Sequence, residues 1–441
     1  MALPKVVAIF YCIQRYSSYL TMNKWKILYQ ENDPYAALRY PEFRNLVLGS
    51  FLLTLALLAQ EVAIGYELYR ITRNPLSLGM IGLVEAVPFI SLSLFGGHIA
   101  DKYSKRKILL WSVGGIAVSS IVLQIVARQQ EYISQAALLI VIYLTIFIIG
   151  LCRAFLSPTS NSLRAILVPI PLYENASAWG SSAWQVGAII GPMTAGFLYA
   201  WSGFANTLFA TVIMVAASFF LFMQIGETPV QTTNEQTEII ASIKQGIKFV
   251  FKTKIILYSI SLDLFSVMFG GVMAILPIYA EDILHVGAQG LGILRAAPSL
   301  GAVIMLLLLT RFSPMQHAWK NLLFAVSGFG ISILIFAVSP WMMLSVAMLF
   351  ISGAFDSISV VIRATILQVM TPDEMRGRVM AVNGIFLASS NELGAFESGL
   401  AAKLMGTVPS AVFGGVMTMM IVTWVYFRTG DLKNIKIKRL E

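Results

Sequence analysis

Gly82-Leu-Val-Glu85-Ala-Val-Pro88 and Gly292-Ile-Leu-Arg295-Ala-Ala-Pro298 share one pattern 210 residues apart: a glycine, a charged residue three positions on, and a proline three beyond that. The likeness continues downstream. Ala154-Phe155-Leu-Ser157 matches Ala354-Phe355-Asp-Ser357 at an offset of 200, and each is followed by an Arg-Ala pair (Arg164-Ala165, Arg363-Ala364) and a proline (Pro171, Pro372). Gly191-x4-Gly196 matches Gly394-x4-Gly399 at an offset of 203. Chance produces one such match. Four in the same order at nearly constant offset describe a chain built from two related halves.

The composition says what the halves are made of. Of 441 residues, 57% are apolar and 12% charged, with a mean hydropathy of +0.77. An ordinary soluble domain is about 25% charged. So little charge excludes a soluble enzyme and a disordered chain together. A membrane helix takes about 20 apolar residues. Hydrophobic runs of that length fall at 45–67, 78–99, 107–127, 136–160, 174–200 and 204–223, then at 256–280, 290–311, 320–339, 341–366, 377–403 and 408–427. The expected fold is all-α, with twelve transmembrane helices in two pseudo-symmetric six-helix bundles, 45–223 and 256–427. Between them, 224–255 is a linker: a polar stretch, then IIASIKQGIKFVFKTK, whose apolar spacing and four lysines predict an amphipathic helix on the membrane surface.

The net charge of +9 would suggest nucleic acid in a soluble protein. Sorting the 31 Lys and Arg along the spans gives a different account. Arg70, Arg73 and Arg128 fall in loops on one side, Arg153, Arg295 and Lys403 fall within spans, and all the others lie on the opposite side. The positive-inside rule then places both termini in the cytoplasm, including the segment 1–44 and the basic tail 428–441, and gives no support to a nucleic-acid partner. VVAIFYC is short for a signal core and no A-x-A site follows it, so no cleaved signal peptide is expected. Segment 1–44 reads as a surface helix or as sequence ahead of a start at Met22. Cys12 and Cys152 give no disulfide framework. His98, His285 and His317 are too scattered for a metal centre, and no P-loop motif occurs. No cofactor is called for.

Here the chain resembles the major facilitator superfamily of transporters, across about residues 40–428. Gly97-His-Ile-Ala100-Asp101-Lys102-Tyr-Ser104-Lys105-Arg106-Lys107, between spans two and three, is similar to that family's cytoplasmic G-x-L-A-D-R-x-G-R-K motif, with Ser104 where the second glycine is usual. The second-half counterpart, Arg311 to Lys320, lacks the acid. Gly187-Ala-Ile-Ile-Gly191-Pro192-Met-Thr-Ala-Gly196 resembles the G-x-x-x-G-P-x-x-G-G motif of drug:proton antiporters, and Arg153 the embedded arginine of the fourth-helix motif. Thr371 to Asn383 looks like the branch of enterobactin and macrolide exporters. The resemblance implies a substrate cavity surrounded by spans one, two, four, five, seven, eight, ten and eleven. It also implies a conformational role for Gly97, Asp101, Lys105, Arg106, Gly187, Gly191, Pro192 and Gly196.

A charge inside a span costs about 2.5–3.5 kcal/mol on insertion scales, so it faces a cavity or a partner. Glu61, Glu85, Arg153, Asp263, Arg295, Asp356, Glu392 and Glu397 are such charges, and all fall on the eight implied cavity spans. Glu85 and Arg295 are equivalent in the repeat. They are expected either to pair, with each other or with neighbours, or to line the cavity. Arg153 and Asp356 are expected to form a salt bridge or to act on substrate or gating. Glu61, Asp263, Glu392 and Glu397 are candidate proton carriers, and Glu67 reads as solvated. Trp179, Trp184, Phe265, Met268, Phe269 and Phe386 could soften a pocket for amphipathic ligands, though most such residues face lipid or helices.

The expected activity is secondary active transport, not enzymatic: efflux of an amphipathic small molecule, a drug or siderophore, in exchange for protons. The expected setting is a monomer in the lipid of the bacterial inner membrane. The rivals are a same-fold importer or lysophospholipid flippase, and a membrane-embedded enzyme or sensor, for which no nucleophile–base motif or signalling domain is found.

Overall fold

The structure, a computed structural model, describes residues 33–227 and 239–432. The expected N-terminal surface helix, the polar part of the linker and most of the basic tail lie outside the described residues. Among those described there is no β-strand. The helices are α1 (Pro41–Thr72), α2 (Pro75–Lys102), α3 (Lys105–Arg128), α4 (Gln135–Leu167), α5 (Tyr173–Met223), α6 (Ile239–Lys252), α7 (Lys254–Gly270), α8 (Gly287–Arg311), α9 (Ala318–Ala337), α10 (Met342–Met370), α11 (Asp373–Met405) and α12 (Thr407–Arg428).

Ten stretches among the described residues are long and apolar enough to cross a membrane. One of them, Ile170–Met223, has 54 residues, more than one crossing needs. It bends at Gly203, whose φ of 79° and ψ of 179° favour a residue without a Cβ, and its arms make crossings five and six. Outside those ten, α11 is 33 residues long and runs packed between α2 and α7. The result is twelve crossings, six in each half. After α7 the seventh crossing continues through a single turn, Leu276–Ile278, into a π-helical turn, Tyr279–Ile283.

Helix ends follow from local chemistry. The side chain of Asn74 accepts from the Leu76 N–H at 3.2 Å and Pro75 takes the first turn, where its missing N–H has no partner to lose. Ser134 caps α4 through the Ala137 N–H at 3.3 Å. The expected amphipathic helix of the linker is α6, with Val250 buried and Lys244 and Lys248 exposed. It lies against the start of α11, where Arg378 bonds Gln245.

The opening repeat explains how each half packs. In the first half, Gly150 of α4 meets α2 so closely that an added Cβ would lie 2.7 Å from the Glu85 carbonyl oxygen and 3.1 Å from Pro88. In the second half, a Cβ on Gly353 of α10 would collide with the backbone of α8 at the Pro298 carbonyl. The two crossings are the same construction used twice, and only a small residue permits that approach of backbones. The apolar core is divided unevenly. At the ends of α1 and α4 nearest Thr72 and Gln135, one cluster joins both halves, including Leu68, Leu138, Leu276 and Leu291. On the opposite side, which carries α6, each half has its own cluster, one around Phe43 and Phe222 and one around Trp319 and Ile362.

Candidate binding cavity and its charged centre

The two halves meet chiefly along α2–α11 and α5–α8. These seams are again one arrangement repeated. A Cβ on Gly82 would lie 2.6 Å from the Ala395 side chain, and a Cβ on Gly292 would lie 2.7 Å from the Pro192 carbonyl oxygen. Gly79 faces Gly399, and Gly196 faces Gly292. The small residues expected to move helices thus divide their work. Gly187 and Gly191 pack against Thr54 and Leu55 of α1 in their own half, while Gly196 forms the seam with the other half.

Away from the seams a cavity of about 350 Å³ opens between α1, α2, α4 and α5. It runs from the middle of the molecule toward the side bearing α6. Leu53, Leu57, Ile149 and Phe89 give it apolar walls, and Ser157, Asn161 and Trp184 line its mouth. Its charged lining is Glu61, Glu85, Arg153 and Arg164. Arg153 pairs with Glu85 inside the first half, and Arg295 of α8 reaches across to Glu61 of α1 at 2.6 Å. Glu85 and Arg295 therefore do not pair with each other, and Arg153 does not pair with Asp356. The physical reason for the second is the packing of α4 on α2, which puts Arg153 one turn from the Gly150–Pro88 crossing and against Glu85. Glu392 completes the centre, with Glu61, Glu85 and Arg153 all within Coulombic reach. It makes no ion pair among the described residues.

Arg363 had sorted with the cytoplasmic loop arginines. It is instead 3% exposed inside α10 and paired with Asp263 of α7. Glu67, read as solvated, is fully buried. Arg70 binds it at 2.7 and 2.8 Å, Gln130 donates at 2.9 Å, and the Tyr199 hydroxyl donates as well. Four donors onto one carboxylate explain why it tolerates burial. Glu397 has no ion-pair partner among the described residues. Of the six aromatic and methionine candidates, Trp184 lines the cavity, whereas Trp179 packs on Tyr35 and donates to the Pro34 carbonyl.

Gly97 and Asp101 lie in the last turns of α2, and the surroundings of the Asp101 side chain are outside what the structure describes. Ser104 sits at φ −57° and ψ 117°, ordinary extended backbone, so the turn needs no glycine. Lys105 is buried, and Arg106 donates to the Met223 carbonyl at 2.8 Å, a cation at the end of α5 where the helix dipole favours one.

A latch absent from the sequence reading closes the side opposite α6. Arg73 has φ 48° and ψ 29°, unusual for a residue with a side chain, and reaches Asp282 at 2.8 Å and Glu281 at 3.2 Å across the halves. Tyr66 donates to Glu281 and Tyr69 to Asp282. Arg73 is half exposed, so each ion pair contributes at most about 1 kcal/mol. Arg73→Ala is accordingly expected to loosen closure by about fivefold in the equilibrium between states, read as faster labelling of a cysteine introduced at the latch. Labelling that stays at the parent rate would show that the latch contributes nothing to closure.

The Major Facilitator Superfamily profile matches residues 46–395, well over half the chain. The chain belongs to the major facilitator superfamily. It is 24% identical over 409 residues to the enterobactin exporter EntS of Citrobacter koseri, covering 90% of this chain and 94% of that one. Against EntS of Escherichia coli K12 it is 25% identical, covering 88% and 94%. Among solved structures, the D-xylose-proton symporter superposes with a TM-score of 0.70 at 14% identity, covering 90% of this chain and 100% of that one. A bacterial homologue of the human lysosomal transporter Spinster, inward-facing and unoccupied, gives 0.70 at 13% identity, covering 89% and 98%. The superfamily fold expected from the motifs is therefore present. The protein is a multi-pass transporter of the bacterial inner membrane and not an enzyme.

Proposed function

We propose that this transporter exports an amphipathic, anionic small molecule of the siderophore or drug class in exchange for protons. The observation that carries the reading is the balance of charge in the centre. Three carboxylates (Glu61, Glu85, Glu392) face two guanidiniums (Arg153, Arg295), and both guanidiniums are already engaged. Glu392 is the surplus acid. A carboxylate without a counter-charge inside a span is the group that a transported proton can neutralise.

The cavity supports the substrate class. Its volume suits a drug-sized ligand. Glu61, Glu85 and Arg153 are neutralised by ion pairs, and Arg164 is the lining charge without an ion-pair partner among the described residues. An anion supplies that partner, and the apolar walls take the rest of the ligand. The relatives' name as enterobactin exporters agrees with an exported small molecule. Transport proceeds by rocking of the halves about the Glu61–Arg295 contact. With the α6 side cytoplasmic, as the distribution of Lys and Arg suggests, the present shape faces inward with the latch shut.

Glu392→Gln in proteoliposomes is expected to reduce transport driven by an imposed pH gradient by about tenfold or more, while gradient-free exchange of substrate persists. Unchanged gradient-driven transport would remove Glu392 as the carrier. A thermal-shift screen of anionic, neutral and cationic amphiphiles should select the anionic ones, and Arg164→Gln should erase that preference. Selection of cationic ligands by the parent protein would overturn the substrate class.

A further inference from the structure

The second half holds a compartment that the central cavity does not reach. Asp263 and Ser266 of α7, Asp356 and Ser359 of α10, and Ala325, Val326 and Phe329 of α9 line a small void. It has room for about one water-sized occupant, about 10 Å³. Within each of α7 and α10 the two polar residues are three apart, so both present the same helix face.

The charge there does not balance. Asp263 is paired with Arg363, whereas Asp356 makes no ion pair or hydrogen bond among the described residues. Ser266 is 3% exposed, and its hydroxyl, in the lining of the same void, is also without a partner. A buried, unpartnered Ser266 hydroxyl and an Asp356 carboxylate without a counter-charge thus line the same small space, and both lack a ligand.

The internal repeat shows what is missing. Arg153 lies three residues after Gly150, which packs on Glu85 and Pro88, and Asp356 lies three residues after Gly353, which packs on Pro298. Glu85 and Arg295 are the residues three before Pro88 and Pro298. In the first half this geometry produces the Arg153–Glu85 ion pair. In the second half the equivalent partner, Arg295, is committed across the interface to Glu61. Asp356 is thereby left without a counter-charge of the kind that Arg153 finds in Glu85.

We propose that Asp356, Ser266, Asp263 and Ser359 form a binding site for a single monovalent metal cation, sodium being the one that fits. The ligand set is oxygen throughout, which suits a hard cation. Once Asp263 is neutralised by Arg363, the net charge is −1, which a monovalent cation balances and a divalent one overshoots. Val267, Phe329 and Phe355 complete the lining with apolar groups. The inference is independent of which substrate is exported and of Glu392 as proton carrier.

The test is melting of the purified full-length protein in detergent, titrated with NaCl at constant ionic strength against choline chloride, with KCl in parallel and radioactive sodium binding as the direct measure. Sodium is expected to raise the melting temperature saturably, choline not at all and potassium less. Asp356→Asn should weaken the apparent sodium affinity by about tenfold or more, the effect of removing a charged ligand, and Ser266→Ala should weaken it to a smaller degree. Glu392→Gln, outside the site, should leave it unchanged. Melting in choline and the gel-filtration profile report whether each variant is folded, and Ser266→Ala carries the test if Asp356→Asn is not. No saturable sodium response, an equal response to choline, or full affinity in either folded variant would overturn the site.

Discussion

Arg363→Met is expected to be the most damaging single substitution in the second half. The ion pair it removes is almost wholly sealed, with the Arg363 and Asp263 side chains 4% and 8% exposed. Deleting one partner of a buried pair leaves the other charge uncompensated, at about 3–5 kcal/mol. Replacing both partners with apolar residues of similar volume is often neutral. The double variant Arg363→Met/Asp263→Leu should therefore recover most of the loss, and the recovery separates an electrostatic cause from a packing one. Melting temperature and the fraction of monodisperse protein in detergent are the measurements. Arg153→Met makes a useful contrast, because its side chain is 44% exposed and the Glu85 it leaves behind lines the open cavity. Parent-like melting of Arg363→Met would show that the pair is not a structural fixture.

That arginine also shows where sequence reading stops. Apolar run length and a fourfold internal match were sufficient for twelve crossings in two halves, because both signals are local or nearly so. The same logic failed at Arg363. A span boundary drawn at 366 placed it at the membrane edge, where a basic residue reads as an anchor, while α10 runs to Met370 and buries it against α7. The Arg-Ala pair repeated at Arg164 and Arg363 marks two arginines with different surroundings, one lining the cavity and one paired inside α10 with Asp263. Pairing was the less legible part. Glu85 and Arg295 are equivalent in the repeat, yet each takes a partner from α4 or α1, since partner choice depends on how helices distant in sequence pack. The latch was invisible for the same reason: Arg73, read alone as a loop charge, is separated from Glu281 and Asp282 by more than 200 residues. Glu67 looked solvated because its position near a helix end is typical of exposed acids. Its burial depends on Tyr199 and Gln130 from two other elements.

Gly292→Leu is expected to abolish transport while leaving the protein folded. A Cβ at this position would lie 2.7 Å from the Pro192 carbonyl oxygen and 3.1 Å from the Gly196 Cα, and both are backbone atoms that cannot rotate away. Overpacking of a close contact costs about 1–3 kcal/mol. The strain exists only while α5 and α8 are in contact, so a state in which this seam parts relieves it. A difference of that size shifts the equilibrium between states by about fivefold to 150-fold. A carrier that works by alternating access must occupy both states in each cycle, so trapping one halts turnover without loss of fold. The signature is positional. In a background lacking other cysteines, Leu291→Cys, fully buried at the seam, should become accessible to maleimide when Gly292→Leu is added. Gly384→Leu, where an added Cβ meets nothing within 4 Å, should leave both labelling and transport as they were. If Gly292→Leu transports normally and Leu291→Cys stays protected, the seam is not the surface on which the halves separate, and closure must be governed by α2–α11 and the latch alone.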